Sequence, residues 1–144
     1  MQLSEHFTYK ELTDSDEAAR LGINNTPPVF AVENLKRLCA VLEEVRLAVG
    51  KPISVSSGYR CQKLNRVIGS KDTSQHVLGC AADIKIEGVT PDELMKVIIG
   101  AGIKFDQLIR EYDRWVHISI PNTTKEKPRH ARLIIDHNGP RPYT

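Results

Sequence analysis

The chain has 144 residues, 40% of them hydrophobic and 26% charged, with a formal net charge of +2. A chain of this length buries about 70% of its unfolded surface in one domain, so it needs no disulfide framework to hold a core. The composition excludes disordered and fibrous classes. The near-neutral balance lacks the dense basic surface of a nucleic-acid binder.

The opening "MQLSEHFTYKEL" has neither the basic start nor the apolar run of a signal peptide, and no stretch approaches the roughly 18 apolar residues of a membrane span. Synthesis in the cytoplasm without an export signal of its own is expected, as is a monomer that binds neither membrane nor nucleic acid. Cys39, Cys61 and Cys80 cannot all pair, and none forms a C-x-x-C motif, so reduced thiols are expected. Cys80, four after His76, reads as a small core residue beside two alanines rather than a metal ligand.

In chain order, residues 1–27 read as a wrapping arm, with a short helix in "LTDSDEAARLG" stopped near Gly22 and a turn in "NNTPP". From Pro28 to Val49, Leu35, Leu38, Leu42, Val45 and Val49 recur at intervals of three and four, marking a helix with one buried face closed by Gly50 and Pro52. "PISVSSGYR" is a short strand running into a turn at Gly58. "CAADIKIEG" is a second strand, with Ala82, Ile84 and Ile86 facing the core and Ala81, Asp83 and Lys85 facing away.

"TPDELMKVIIGAG" predicts a helix with a capping box between Thr90 and Glu93, Pro91 at its first position, and a core face of Leu94, Val97, Ile98 and Ala101. "KFDQLIRE" and "WVHISI" form a hairpin around Tyr112, Asp113 and Arg114. In its second strand Val116, Ile118 and Ile120 face one way, and Trp115, His117 and Ser119 the other. A polar, basic segment "PNTTKEKPRH" follows, then a strand-like "ARLIIDH" and a Pro-rich tail. The predicted architecture is one α+β domain over 1–144, a small mainly antiparallel sheet with helices packed on one face and the other face open for a site.

Asp83 and His117 both leave the apolar side, and His76 lies seven positions before Asp83. Two imidazoles and a carboxylate are a protein ligand set that leaves the fourth tetrahedral position of Zn²⁺ open, as catalytic zinc sites do. The spacing alone fits a loop histidine, a turn carboxylate and a sheet histidine with no common purpose equally well.

The stretches "SSGYRCQKLNRVIGSKDTSQHVLGCAADI" and "FDQLIREYDRWVHISI" resemble the zinc D-alanyl-D-alanine carboxypeptidase family. Its relatives include vancomycin-resistance D,D-dipeptidases and phage L-alanyl-D-glutamate endolysins, and related hedgehog domains share the zinc site. The S-x-H-x-x-G-x-A-x-D segment and the W-V-H strand carry the likeness, which runs from "HFTYKEL" through "WVHISI"; residues 121–144 have no family signature.

The resemblance implies a hedgehog/D,D-peptidase-like fold and a zinc metallopeptidase acting on peptidoglycan stem peptides, reaching the cell wall after release or virion delivery. It makes His76, Asp83 and His117 the zinc ligands, with Gly79 and Ala81 giving the backbone room between the first two. Arg60 matches an arginine that stabilises the oxyanion and the substrate carbonyl, and Ser74 a serine near the substrate's polar groups.

Where the vancomycin-resistance branch has a glutamate three before the last histidine, this chain has Arg114. Glu111 and Asp113 remain as general base. If Tyr112, Asp113 and Arg114 form the loop, Glu111 pairs across from Trp115 on the face of His117, and Asp113 sits at the solvated tip; Glu111 is therefore the expected base. The rival readings are a noncatalytic wall-binding or phage structural module that keeps the fold and metal, and nucleic-acid binding through the basic tail.

Overall fold

The computed structural model describes residues 1–144. The N-terminal arm holds two short helices, α1 (Tyr9–Thr13) and α2 (Asp16–Leu21), the second ending on Gly22 in the left-handed region as anticipated. The arm is pinned rather than draped: Leu3, Phe7 and Leu12 are buried in the main core. Glu43 accepts hydrogen bonds from Ser4 Oγ at 2.6 Å and from the His6 backbone N–H at 2.7 Å, and its other oxygen lies 2.6 Å from His6 Nδ1. His6 thus has a carboxylate partner.

The long helix α3 (Val29–Val49) buries Leu35, Leu38, Leu42 and Val45 completely, while Val49 is only half-buried in the last turn. Each such leucine contributes about 1.5–3 kcal/mol through the water it excludes. β1 (Ser54–Ser57) and α4 (Gln62–Val67) follow, then a 3-10 turn at Gln75–Leu78 and β2 (Ala81–Lys85). The pattern of "QKLNRV" is too short to announce α4, which Cys61 caps by accepting from the Leu64 N–H.

α5 (Pro91–Gly100) starts at the expected capping box, Thr90 Oγ1 accepting from Glu93 N–H at 3.1 Å and Glu93 Oε1 from Thr90 N–H at 3.0 Å. Its core face is Leu94, Met95 and Ile98; of the other residues expected there, Val97 is only half-buried and Ala101 is exposed at the C-cap. Met95, not expected on that face, is fully buried.

β3 (Gln107–Glu111), β4 (Trp115–Ser119), β5 (Ala131–Asp136) and β6 (Gly139–Pro142) complete one six-stranded sheet in the order β1-β2-β4-β3-β5-β6. Every pairing is antiparallel except β3 with β5. The fold is therefore α+β with a mostly antiparallel sheet, as the pattern of elements indicated. The core lies between α3, α5 and the face formed by Ala82, Ile84, Leu108, Val116 and Ile118.

The segment after residue 120, expected to be a strand and a loose tail, instead adds two strands. Arg141 forms a forked pair with Asp136, and Tyr143 Oη donates to Asp92 at the start of α5 at 2.8 Å. These side-chain bonds hold a stretch whose local sequence, rich in proline and charge, does not by itself specify a hairpin.

Candidate metal centre

Antiparallel register brings the centre together. Asp83 on β2 lies directly opposite His117 on β4, and after an irregularity between Val55 and Ser57, Ser57 on β1 lies opposite Asp83. Side chains directly opposite on one face stand about 4.5–5.5 Å apart at Cβ, within reach of each other's polar atoms. His76 arrives from outside the sheet, on the 3-10 turn that Ser74 caps by accepting from the His76 backbone N–H at 3.3 Å.

Two glycines make that approach possible. Gly79 closes the turn at φ +76, and a Cβ there would stand 2.5 Å from the Ala31 carbonyl oxygen on α3. A Cβ on Gly58 would stand 2.3 Å from the Leu12 carbonyl oxygen. Gly58 then offers its own carbonyl to His76 Nδ1 at 2.7 Å.

That last contact decides the His76 tautomer. A carbonyl oxygen only accepts, so Nδ1 carries the hydrogen and Nε2 presents a bare lone pair. Nε2 points to Asp83 Oδ1 at 3.3 Å, and the same oxygen is 3.0 Å from His117 Nδ1. The His76 and His117 rings meet edge to face, their centroids 5.1 Å apart.

Burial holds His76 neutral by moving its pKa below the ordinary imidazole value, a pull that Asp83 only partly opposes. Burial also pushes the Asp83 carboxyl upward, but the adjacent His117 and His76 rings outweigh it and hold the group well below the usual carboxylate range. An ionised oxygen and a neutral imidazole lone pair thus face each other without a proton between them.

A divalent cation would relieve that repulsion. The ligand atoms of His76, Asp83 and His117 lie within 4.8 Å of one another. Bonds of about 2.0–2.1 Å in a tetrahedral arrangement place ligand atoms about 3.3 Å apart, close to the 3.3 and 3.0 Å observed for the two histidines against Asp83. Nitrogen and carboxylate donors suit zinc, and the Gly58 carbonyl behind His76 stands where an outer partner would orient a metal-bound imidazole. Cys80, fully buried in the core, is not among the grouped atoms.

Arg60 borders this group. Its Nε donates to Asn65 Oδ1 at 3.1 Å, Nη1 to Ser57 Oγ at 3.2 Å and Nη2 to Ser74 Oγ at 3.4 Å. All three partners are neutral, and no carboxylate pairs with the guanidinium. Burial lowers its pKa while the charges of Asp83 and Glu111 pull it back up, so a cation is held facing two carboxylates at a distance. Ser74 acts here as a turn cap and as a brace for Arg60.

Glu111 pairs across from Trp115, as the hairpin geometry predicts, and its Oε1 is 3.8 Å from His117 Nδ1. Burial first, and then the Asp83 charge, raise its pKa above the ordinary glutamate value. Tyr112 and Asp113 form the tight turn with positive φ at both, 52° and 54°, and Arg114 N–H closes it on the Glu111 carbonyl at 3.0 Å. Asp113 is 74% exposed and leans toward Arg110 at 3.7 Å; it stays at the tip. Of the two candidate carboxylates, only Glu111 reaches the centre.

Two clefts open beside these groups, one of about 620 Å³ lined by Arg60, Ser57 and Tyr59, the other of about 710 Å³ lined by Ser74, His117 and Ile109. Several residues that shape the site carry no motif of their own. Gly58 and Ser57 lie inside "SSGYR" and Gln75 inside "SQH", as unmarked positions of recognisable stretches, while Asn65 has no local signal because its bonds, from Arg60 Nε and to the Lys71 carbonyl, are made only in the folded chain.

A buried His-Asp-His set flanked by an arginine and a glutamate defines a metallohydrolase-type centre. The chain belongs to the Peptidase M15 family, whose profile matches residues 5–119. The match spans both histidines, Asp83, Arg60 and Glu111 and stops before β5. Peptidases of this family are zinc-dependent, and the three grouped side chains form a place where this chain could hold the metal. No curated protein matches the chain. No helix is long and apolar enough to cross a membrane.

Proposed function

We propose that the protein is a zinc peptidase that hydrolyses amide bonds in peptidoglycan stem peptides, at D-alanyl-D-alanine or at L-alanyl-D-glutamate, the latter as in phage endolysins. The observation that carries the reading is the convergence of His76 Nε2 and His117 Nδ1 on one ionised Asp83 oxygen, with Glu111 beside it. His76, Asp83 and His117 would hold the zinc. The chemistry it supplies when bound is Lewis acidity, polarising a carbonyl and yielding a water nucleophile near neutral pH.

The chain's own groups supply the rest. Glu111, half-buried and of raised basicity, accepts a proton from the attacking water on its carboxylate and returns it to the nitrogen of the leaving amine, so the carboxylate is regenerated. Arg60, held by three neutral oxygens, keeps its positive charge available for the oxygen on which negative charge develops. Ser74 and Ser57 keep the guanidinium from swinging onto Asp83. The clefts on either side accommodate the chain flanking the scissile bond, and the protein reaches its substrate after release or delivery to the wall.

The deciding experiment digests purified peptidoglycan with the full chain and identifies the products by mass spectrometry, before and after chelation. Cleavage at one of the two bonds, lost on chelation and restored by zinc, is expected. Unchanged cleavage in fully metal-free protein overturns the mechanism. Wall binding with no product under any metal load favours the noncatalytic module instead.

A further inference from the structure

Gln75 sits between Ser74 and His76 and is 7% exposed. Its Nε2 donates to Asp106 Oδ2 at 3.0 Å, to the Ile120 carbonyl at 2.9 Å and to Asn122 Oδ1 at 2.8 Å. Three acceptors around one nitrogen admit only the amide N–H₂ there, which determines the orientation of the side chain.

Asp106, just ahead of β3 and 4% exposed, has a second set of partners. Arg129 donates its backbone N–H and its Nε to Oδ1, each at 3.0 Å, and its Nη2 to Oδ2 at 2.6 Å. This is the forked geometry in which arginine binds a carboxylate with directional strength. The Asp106 backbone joins in, its N–H donating to the Ser119 carbonyl at 2.7 Å and its carbonyl accepting from Ala131 at 3.0 Å.

Asp106 therefore ties the turn at residues 75–78 to the chain leading into β5 through its carboxylate, and reaches the end of β4 through its backbone N–H. Gln75, Asp106, Asn122 and Arg129 line the same cleft as Ser74 and His117. Asn122 and Arg129 lie beyond residues 5–119, the part that matches the family.

We infer that Asp106 is a positioning residue for the metal centre: through Gln75 on one side and Arg129 on the other, it locks the turn carrying Ser74 and His76 to the sheet and to the cleft wall that residues 122–131 provide. The inference rests on the zinc reading above for its consequence, though not for its geometry. His76 has no place in the sheet ladder; the Gly58 carbonyl holds its ring and the Arg60 N–H its carbonyl at 3.1 Å, and the rest of its placement comes from what holds the turn. The turn's inner side is held by α3, through Asn34 Nδ2 donating to the Leu78 carbonyl at 2.9 Å; its other side is held by Gln75 and Asp106.

The test uses the full chain, stripped of metal and titrated with zinc, in wild type, Asp106→Asn and a control, Leu42→Ala, in the core of α3. Amide hydrogen exchange at Val77, Gly79 and Cys80, read relative to α5 in the same sample, reports the turn directly. In Asp106→Asn one oxygen becomes an N–H₂ facing the Arg129 or Gln75 donors, so zinc affinity falls about tenfold, as for other outer-shell partners of metal ligands, and exchange at the three amides quickens.

The control lowers the melting temperature without either effect. Asp106→Asn with zinc affinity and relative exchange like the control's overturns the inference, leaving Asp106 a structural residue only. If Asp106→Asn fails to fold, Arg129→Gln, altering a side chain that is 60% exposed, takes its place under the same two readouts. A wild-type chain that does not bind zinc sinks the peptidase reading, while the exchange comparison still decides this one.

Discussion

Replacing Gly79 by alanine tests how the site is assembled. The residue sits at φ +76, where an L side chain costs about 1–2 kcal/mol. The added methyl would stand 2.5 Å from the Ala31 carbonyl oxygen and 3.2 Å from Leu35 Cγ, and overpacking of a close contact costs about 1–3 kcal/mol more. The sum, roughly 2–5 kcal/mol, is a large share of the about 5–15 kcal/mol that holds a typical domain folded.

At about 2–4 °C per kcal/mol for a chain of this size, the melting temperature should fall by roughly 4–20 °C. The clash cannot be relieved at α3, where Ala31 and Leu35 are fully buried, so the turn must move and take His76 with it. Zinc affinity should therefore fall together with stability. Thermal unfolding followed by circular dichroism, with calorimetric zinc titration of the folded variant, measures both. A Gly79→Ala protein that melts within about 2 °C of wild type and binds zinc equally well would refute this account of the turn.

Glu111→Gln should keep the zinc content of wild type while lowering kcat by about 10²–10⁴; if Asp113→Asn does this instead and Glu111→Gln is active, the base has been misassigned. The Arg129 bond holds the Asp106 carboxyl below its ordinary 3.8, so that group stabilises the fold at any pH well above 3.8 and loses its contribution as pH falls through the lowered folded value. Urea midpoints measured downward from about pH 5 should thus decline less steeply in Asp106→Asn than in wild type, and parallel curves would contradict the pairing. Burial pushes the Cys39 thiol up to about 12 and raises that of Cys80 as well; with both inaccessible, a thiol reagent should label only Cys61 in the native protein and all three cysteines in denaturant. Two or more thiols reacting natively would show that the core opens around α3 or β2.

Patterns local to a few residues were legible without coordinates. The periodicity of Leu35, Leu38, Leu42 and Val45, the capping box at Thr90 and the alternation along β2 and β4 each follow from backbone geometry repeated over a short span. For the same reason the facing of Asp83, His117 and Glu111 could be read, because period-two alternation and a three-residue loop determine which side of a strand a residue occupies.

Relations between distant segments were decided only in three dimensions. The register that sets Asp83 opposite His117, the Gly58 carbonyl that selects the His76 tautomer, and the parallel addition of β5 beside β3 join residues that no spacing rule connects. Asp106 gave no signal as a hub, since an aspartate before a strand looks the same whether it meets water or a guanidinium arriving 23 residues later. Side-chain type and local period act over a turn or two of chain, whereas a donor set of this kind is created by chain closure and is specified only once the whole core has packed.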